Sequence, residues 1–499
     1  MTCKGIKVLW KAPVRMGAIS AVRTTGGTDA TRLLKRMVAL QSHRGSELFG
    51  VSTSKEHMIT SSLDEFSQLK TSNSAIAYNL MRIDDQDEPQ PIRSNDLSYI
   101  IECDYAEFYS SPTGFLEYLH GDPYECLRKL ITEWDGQYAI AILKEGEIYA
   151  ARDPVGLKPL YYASSNGIDA LASEKKALWG IGLTSVYSFP PGHVWRLGDN
   201  RPSPVIEINS QKSFVQPADK ITPKLTELLE EAVYERANRL DRIGICFSGG
   251  VDSAIITHLL SKLDIEVRAF IVGMDNSPET ESACEAAEML GVKSIVSEYS
   301  LDDVDSTLYK CVWRVEDYNI VKLGIAIPFA WCASSAFKTG FRYLISGQGA
   351  DELFCGYHKF LRILREKGGK SLELATIESI REAHRTSFQV VEQAVAPEKV
   401  KILHPFADLN LIIFGLAIPS DLKVQGPYDG LRKRILRDAG LRLGLPEEII
   451  MKPKRAIQYS TWVDKGISMA AKRKRLKTRK YVRKIFEESF KTLMGEPEA

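Results

Sequence analysis

The sequence predicts an α/β chain of two domains, and three observations predict it. The first half reads as short strands broken by Gly, Asp, Asn and Pro turns. Beyond a polar stretch near residue 210, helical and strand patterns alternate, as they do in a parallel sheet flanked by helices. Between them one apolar run, Ile243-Gly244-Ile245-Cys246-Phe247, enters the turn Ser248-Gly249-Gly250-Val251-Asp252-Ser253, with a helix expected from about Ala254.

In chain order, strands are expected over 138–143, 148–152 and 160–162 of the first half. Around 205–224 the chain turns polar and carries Pro217 and Pro223, which places a linker there and domains over 1–205 and 206–499. The second half then reads as helix 224–239, strand 243–247, helix 254–262, strand 267–272, helix 279–290 and strand 294–298. After Phe354 the pattern is mostly helical. A length of 499 residues is more than one core supports.

Composition narrows the class. Hydrophobic residues at 44% and charged residues at 26% are those of a globular protein. A formal net charge of +1 excludes a globally basic polyanion binder and an acidic disordered chain. The eight cysteines form no C-x-x-C pair, which points to reduced thiols and a cytoplasmic setting. Residues 1–16 lack the apolar core of a signal peptide. No apolar run approaches the roughly 20 residues of a membrane span, so no membrane partner is expected.

The turn at 248–253 has the chemistry of a phosphate cradle. Glycines let backbone N–H groups approach an anion, and the helix N-terminus adds its dipole. Ser248 and Ser253 can donate to phosphate oxygens, and Asp252 can hold a magnesium ion. About a hundred residues on, Leu344-Ile345-Ser346-Gly347-Gln348-Gly349-Ala350-Asp351-Glu352-Leu353-Phe354-Cys355-Gly356-Tyr357 repeats the plan: strand, glycine turn, acids entering a helix. Asp252 and Asp351 together are expected to chelate Mg²⁺.

With both loops in hand, residues 224–465 resemble the synthetase domain of asparagine synthetases and of the related β-lactam synthetases, which carry the SGG-x-DS loop of ATP pyrophosphatases. Ala269-Phe270-Ile271-Val272-Gly273, Pro405-Phe406-Ala407-Asp408, Lys433-Arg434-Ile435-Leu436-Arg437 and Lys452-Pro453-Lys454-Arg455 extend the match. The resemblance implies an ATP pyrophosphatase fold and an AMP-forming amide ligase. Phe247, Val272 and Gly347 would border adenine and ribose, with Ser346 beside them. Ser248, Gly249, Gly250, Asp252 and Ser253 would hold the phosphates. Lys433 and Lys454 would stabilise developing charge, and Asp351 and Gln348 would complete the reacting centre. Two departures from the family pattern concern the acceptor. Gln348 stands where many relatives have glutamate, so it orients groups without acting as a base. Gly324 stands where an arginine fork for an α-carboxylate is expected, leaving Lys322 as the nearby cation.

Residues 16–200 resemble the glutaminase domain of N-terminal-nucleophile amidotransferases, an αββα sandwich. The match rests on Leu40-Gln41-Ser42-His43-Arg44-Gly45, Asp135-Gly136-Gln137-Tyr138-Ala139, the string Ala151-Arg152-Asp153-Pro154-Val155-Gly156-Leu157-Lys158-Pro159-Leu160-Tyr161-Tyr162, Ala172-Ser173-Glu174 and Pro190-Pro191-Gly192-His193. An active member opens on a cysteine whose own α-amine is its base. Here Met16-Gly17-Ala18-Ile19 aligns with that opening, and Cys3 is the one nearby thiol. Ala77-Tyr78-Asn79-Leu80 replaces the family's Gly-His-x-Arg, and Glu102-Cys103 its oxyanion Asn-Gly pair. Arg44 alone of the glutamine contacts remains.

The expected function is an asparagine-synthetase-type ligase using ATP, Mg²⁺, a carboxylate (aspartate by default) and ammonia, with a glutaminase-like domain lacking its nucleophile and a homodimer as the assembly. The alternatives are a β-lactam-synthetase-like ligase for another carboxylate, and an RNA- or partner-binding protein with a remnant nucleotide site. The basic run 472–484 reads either as a solvated terminal helix or as a contact for nucleic acid or an acidic partner.

Overall fold

The computed structural model describes residues 16–83, 87–106, 112–119, 121–209, 214, 217–453 and 456–494. The chain divides into two compact units, Met1–Glu207 with Thr492–Ala499, and Ile208–Lys491.

In the first unit, side-chain alternation builds four layers. The strand Gly136–Lys144 sends Tyr138, Ile140 and Ile142 to one face and Ala139, Ala141 and Leu143 to the other, and all six are buried. Both faces of a strand are apolar only when both are covered. Its antiparallel sheet has six strands, in the order Ser203–Pro204, His193–Arg196, Glu147–Arg152, Gly136–Lys144, Leu97–Ala106, Ile92–Ser94. One face meets Phe115, Leu127 and Leu130 from the helices Pro112–Tyr118 and Pro123–Glu133. The other packs Ile100, Ala141 and Ile148 against Ile19, Ile76 and Leu171 of a second antiparallel sheet. That sheet has seven strands: Tyr187–Ser188, Tyr161–Ser165, Ile168–Ala172, Met16–Thr24, Ser74–Met81, Leu48–Thr53, His57–Thr60. Its far face is covered by helix Ala30–Leu40 through Leu34, Met37 and Val38. Asp29 caps that helix at Thr31. The result is the expected αββα sandwich.

In the second unit five parallel strands lie in the order Ser294–Tyr299, Glu266–Met274, Arg242–Cys246, Tyr343–Ile345, Lys401–Leu403. The chain leaves Arg242–Cys246 toward one edge and returns on its other side. This makes the carboxyl ends of Arg242–Cys246 and Tyr343–Ile345 a topological switch point, where open α/β sheets bind ligands.

Several boundaries differ from expectation. The helix expected from 224 begins at Ala218, because Pro217 occupies its N-cap and Pro223 sits inside it. The helix expected from 254 begins at Val251. Ile320–Lys338 has the length and apolar composition of a membrane span, unlike the sequence-based expectation. Two-thirds of its apolar window (67%) is buried within the unit, and its Trp331 stacks on Tyr299 at 4.1 Å.

Candidate active site

The first loop leaves the central strand with Phe247 donating its N–H to the Phe270 carbonyl at 3.0 Å. Gly249 turns the chain at φ +66°, a left-handed conformation that costs glycine little. Gly250 is the N-cap of helix Val251–Leu260 and offers no side chain to its amides. Those first-turn N–H groups are therefore left for a ligand. The Ser248 and Ser253 hydroxyls lie 3.3 Å apart, and Ser253 also donates to the Gly250 carbonyl at 3.0 Å.

The second loop follows Tyr343–Ile345. Ser346 Oγ lies 2.8 Å from His404 Nδ1 and 3.4 Å from the Gln348 amide, and Gly349 swings the chain into the short helix Ala350–Leu353. The two loops meet at Lys433. Its Nζ donates to Asp252 Oδ1 and Oδ2 at 2.7 and 2.6 Å and lies 2.5 Å from Asp351 Oδ1. The Lys433 side chain is fully buried. A cation so placed holds together two carboxylates that would otherwise repel. Gly356 makes the approach possible, since a Cβ there would stand 1.9 Å from Asp351 Oδ1 and 2.3 Å from Lys433 Cε.

Lys433 reaches this position through a strained segment. Arg432 and Lys433 take φ of +56° and +53°, a conformation costing roughly 1–3 kcal/mol for such residues. Asp429 pays that cost by gathering the segment: it accepts the amides of Gln425, Leu431 and Arg432 at 2.9, 2.9 and 3.1 Å and binds the Arg434 guanidinium through both oxygens. Burial works against its charge, but Arg434 and those amides prevail and hold the carboxyl down at about 2. The Arg437 guanidinium adds hydrogen bonds to the carbonyls of Leu431, Arg432, Ile450 and Lys452.

Phe247 and Val272 line a small pocket at the same sheet end, together with Ile271, Thr280, Ala283 and Ile457. Lys452 stands at the first loop, its Nζ donating to Ser282 Oγ at 2.6 Å.

The structure thus brings together Phe247, Ser248, Gly249, Gly250, Asp252, Ser253, Val272, Ser346, Gly347, Asp351 and Lys433. Gln348 enters through its backbone. Lys454 lies outside the described residues, as does Cys3. Sequence reasoning missed four supporting groups: Asp429, Arg437, Glu352 and Tyr357. Burial, with the neighbouring Asp351 charge, pushes the Glu352 carboxyl up, and it accepts the Tyr357 hydroxyl at 2.8 Å. The adjacent acids at 351–352 stood out in the string, but their separate partners, Lys433 and Tyr357, were not readable from it.

The acceptor region differs from expectation. Lys322 is bound by Asp317 at 2.7 Å, so it does not stand free as the substitute cation. Gly324 faces Gln458, whose Cβ would be 3.0 Å from any side chain begun there. A side chain at 324 would need Gln458 to give way by a few tenths of an ångström.

In the first unit, Met16 is buried in a strand and pairs with Met81. Arg44 donates to Glu102 Oε1 and to the Gly17 carbonyl, both at 2.8 Å, and both side chains are fully buried. Glu102 also accepts from Ser173 at 3.3 Å. The basic run at 472–484 is two helix ends, Val463–Arg473 and Thr478–Met494, joined by a turn at Arg475. Its Tyr481 and Val482 are buried, while Arg473, Arg483 and Lys484 pair with Asp302, Glu487 and Glu488.

A phosphate loop and paired acids at the switch point of a parallel sheet, in a chain that also carries an αββα unit, define an ATP-using carbon–nitrogen ligase of amidotransferase type. The model of the asparagine synthase family matches residues 224–402 and 375–499, and that of a glutamine amidotransferase domain matches 111–180. The chain belongs to the asparagine synthase family. A Methanocaldococcus jannaschii protein assigned as a glutamine-hydrolyzing asparagine synthetase is 27% identical over 92% of this chain and 96% of its own length. A mimivirus relative of the same assignment is 27% identical over 66% of this chain and 64% of its own. Asparagine synthetase 2 of Arabidopsis thaliana is 25% identical, over 66% and 60%. The chain thus spans nearly all of the archaeal relative but under two-thirds of the viral and plant ones.

Proposed function

We propose that this protein forms an amide by adenylation. A carboxylate oxygen attacks the α-phosphorus of ATP, pyrophosphate leaves, and ammonia then displaces AMP from the acyl-adenylate. Aspartate is the default acceptor, which makes the product asparagine. One observation carries this reading: Asp252, Asp351 and Lys433 converge beside a phosphate loop. Phosphoryl transfer of this kind needs positioning and charge more than covalent help.

The chain's residues divide the work. The loop at 248–253 receives the phosphates through its amides and hydroxyls, and Phe247 and Val272 receive the adenine. Lys433 supplies positive charge at the reacting centre, and Lys454 is the second cation of this kind. Asp252 and Asp351 also fit a magnesium ion at the carboxylate edges that Lys433 leaves open, because Mg²⁺ takes one or two carboxylates plus substrate phosphates. Such an ion would neutralise charge on the pyrophosphate. The setting is cytoplasmic, with none of the seven described cysteines in a disulfide.

Ammonia is the proposed nitrogen donor. Met16 offers no nucleophile, and the Arg44 charge is spent on Glu102. The first unit is on this reading a structural partner that hydrolyses no glutamine. A different carboxylate is the second reading, favoured by the contact of Gly324 with Gln458 and by the engagement of Lys322.

Pyrophosphate release with ATP, Mg²⁺, ammonia and a panel of carboxylates tests all of this. Asparagine, AMP and pyrophosphate from aspartate and ammonia are expected, with no stimulation by glutamine. Turnover on another carboxylate alone selects the second reading. No carboxylate-dependent pyrophosphate at all refutes the adenylation chemistry.

A further inference from the structure

Lys433 is not the cation most available to an incoming anion, because two carboxylates already surround it. Lys452 is differently placed. Its Nζ is 3.4 Å from where a Cβ on Gly249 would stand, directly at the phosphate loop. Its one hydrogen-bond partner among the described residues is the neutral hydroxyl of Ser282, at 2.6 Å. The backbone beneath it is anchored: its carbonyl accepts from Arg437 at 3.1 Å and its amide donates to Ile449 at 3.3 Å. Ser282 belongs to helix Pro278–Met289, whose Glu279, Thr280 and Ala283 line the pocket of Phe247 and Val272.

We infer that Lys452 is a phosphate-binding residue of this site, gripping the β- and γ-phosphates of ATP and hence the pyrophosphate product. This rests on the adenylation reading and goes beyond it, by giving a residue of its own to triphosphate recognition. The reasoning is one of charge. A mobile ammonium on a neutral partner surrenders little when it turns to a phosphate, whereas Lys433 would abandon two ion pairs. Exchange of the Ser282 contact for a charge-assisted one is favourable. Partial burial also pulls the Lys452 ammonium below its usual range, with Glu285 alone opposing; a bound polyanion restores the charged form. Lys452 therefore sorts nucleotides by phosphate number, and Lys433 serves the reacting centre.

The test is binding of α,β-methylene ATP, pyrophosphate and AMP to the full chain, wild type and Lys452→Met. Loss of one charge-assisted contact should weaken the analogue and pyrophosphate by roughly tenfold or more and leave AMP unchanged, with Lys452→Arg restoring most of the affinity. Equal weakening of AMP would mark Lys452 as structural and overturn the inference, as would unchanged analogue binding. A second measurement needs no variant: pyrophosphate, but not AMP, should protect Lys452 of the wild-type protein from acetic anhydride, read by peptide mass. Lack of protection overturns the inference even if Lys452→Met fails to fold. Amide formation is followed in parallel. Wild-type protein that binds the analogue but forms no amide fails the adenylation reading, while loss of binding in Lys452→Met still upholds this one.

Discussion

Two buried ion clusters, one in each unit, are built from the same materials and do opposite things. In the first unit one guanidinium meets one carboxylate: Arg44 and Glu102 pair, and neither side chain has any exposure. In the second, one ammonium meets two carboxylates, and those carboxylates keep 12% and 13% of their side-chain surface open. The first cluster is closed on every side. The second has an accessible edge, beside the first-turn amides of helix Val251–Leu260. A buried salt bridge by itself is therefore poor evidence of a site. Access is what distinguishes one.

The sharpest way to break this contrast is to remove one acid from the open cluster. Asp252→Asn leaves Lys433 with Asp351 alone and removes a charge from the reacting centre. Carboxylate-dependent pyrophosphate release should fall by at least about a hundredfold, the scale of losing one preorganised electrostatic group. Retained full activity would remove Asp252 from the site.

The matching change in the closed cluster should act on stability instead. Glu102→Gln leaves the Arg44 guanidinium buried without its counter-charge, a loss of about 3–5 kcal/mol. Urea unfolding of the first unit should report it. Pyrophosphate release with ammonia, per folded molecule, should not change. A fall in ammonia-dependent rate would give the first unit a role in the chemistry that a closed ion pair does not have.

The two clusters also differ in how far the sequence disclosed them. Strand, turn and helix around Ser248–Ser253 are contiguous, so local rules suffice to read a phosphate loop. Local rules also gave the strand over 138–143, but the αββα layering was legible only through the resemblance carried by strings such as Ala151–Tyr162. Lys433 was named as a functional lysine, but its partner Asp252 is 181 residues away, and no periodicity encodes such a meeting. Asp429 was invisible because its work is done through backbone amides. Gly324 read as a missing arginine; only the structure reveals that Gln458 crowds the position. Helix starts were misjudged where proline stood at or inside the first turns, because Pro217 and Pro223 signal a break as readily as an N-terminus.

The smallest expected effect contrasts two acids through pH. Burial raises Asp153 in the first unit to about 6, against Arg152 and the amides of Tyr138, Val155 and Gly156. An unfolded aspartate titrates near 3.9. Between about pH 4 and 6 the folded form therefore holds a proton that the unfolded form has lost, and stability declines as pH rises through that window. Asp429 in the second unit has the opposite sign. Held at about 2, it contributes stability that is complete above about pH 4 and lost as pH falls toward 2. Hydrogen exchange of the full chain, corrected for intrinsic rates, can follow strand 136–144 and helix 434–443 separately. Asp153→Asn should flatten the decline of the first segment between pH 4 and 6. Asp429→Asn should lower protection of the second at neutral pH and erase its further loss in acid. If both segments weaken together at low pH and neither variant alters its own profile, these carboxylates do not govern the acid response of their units.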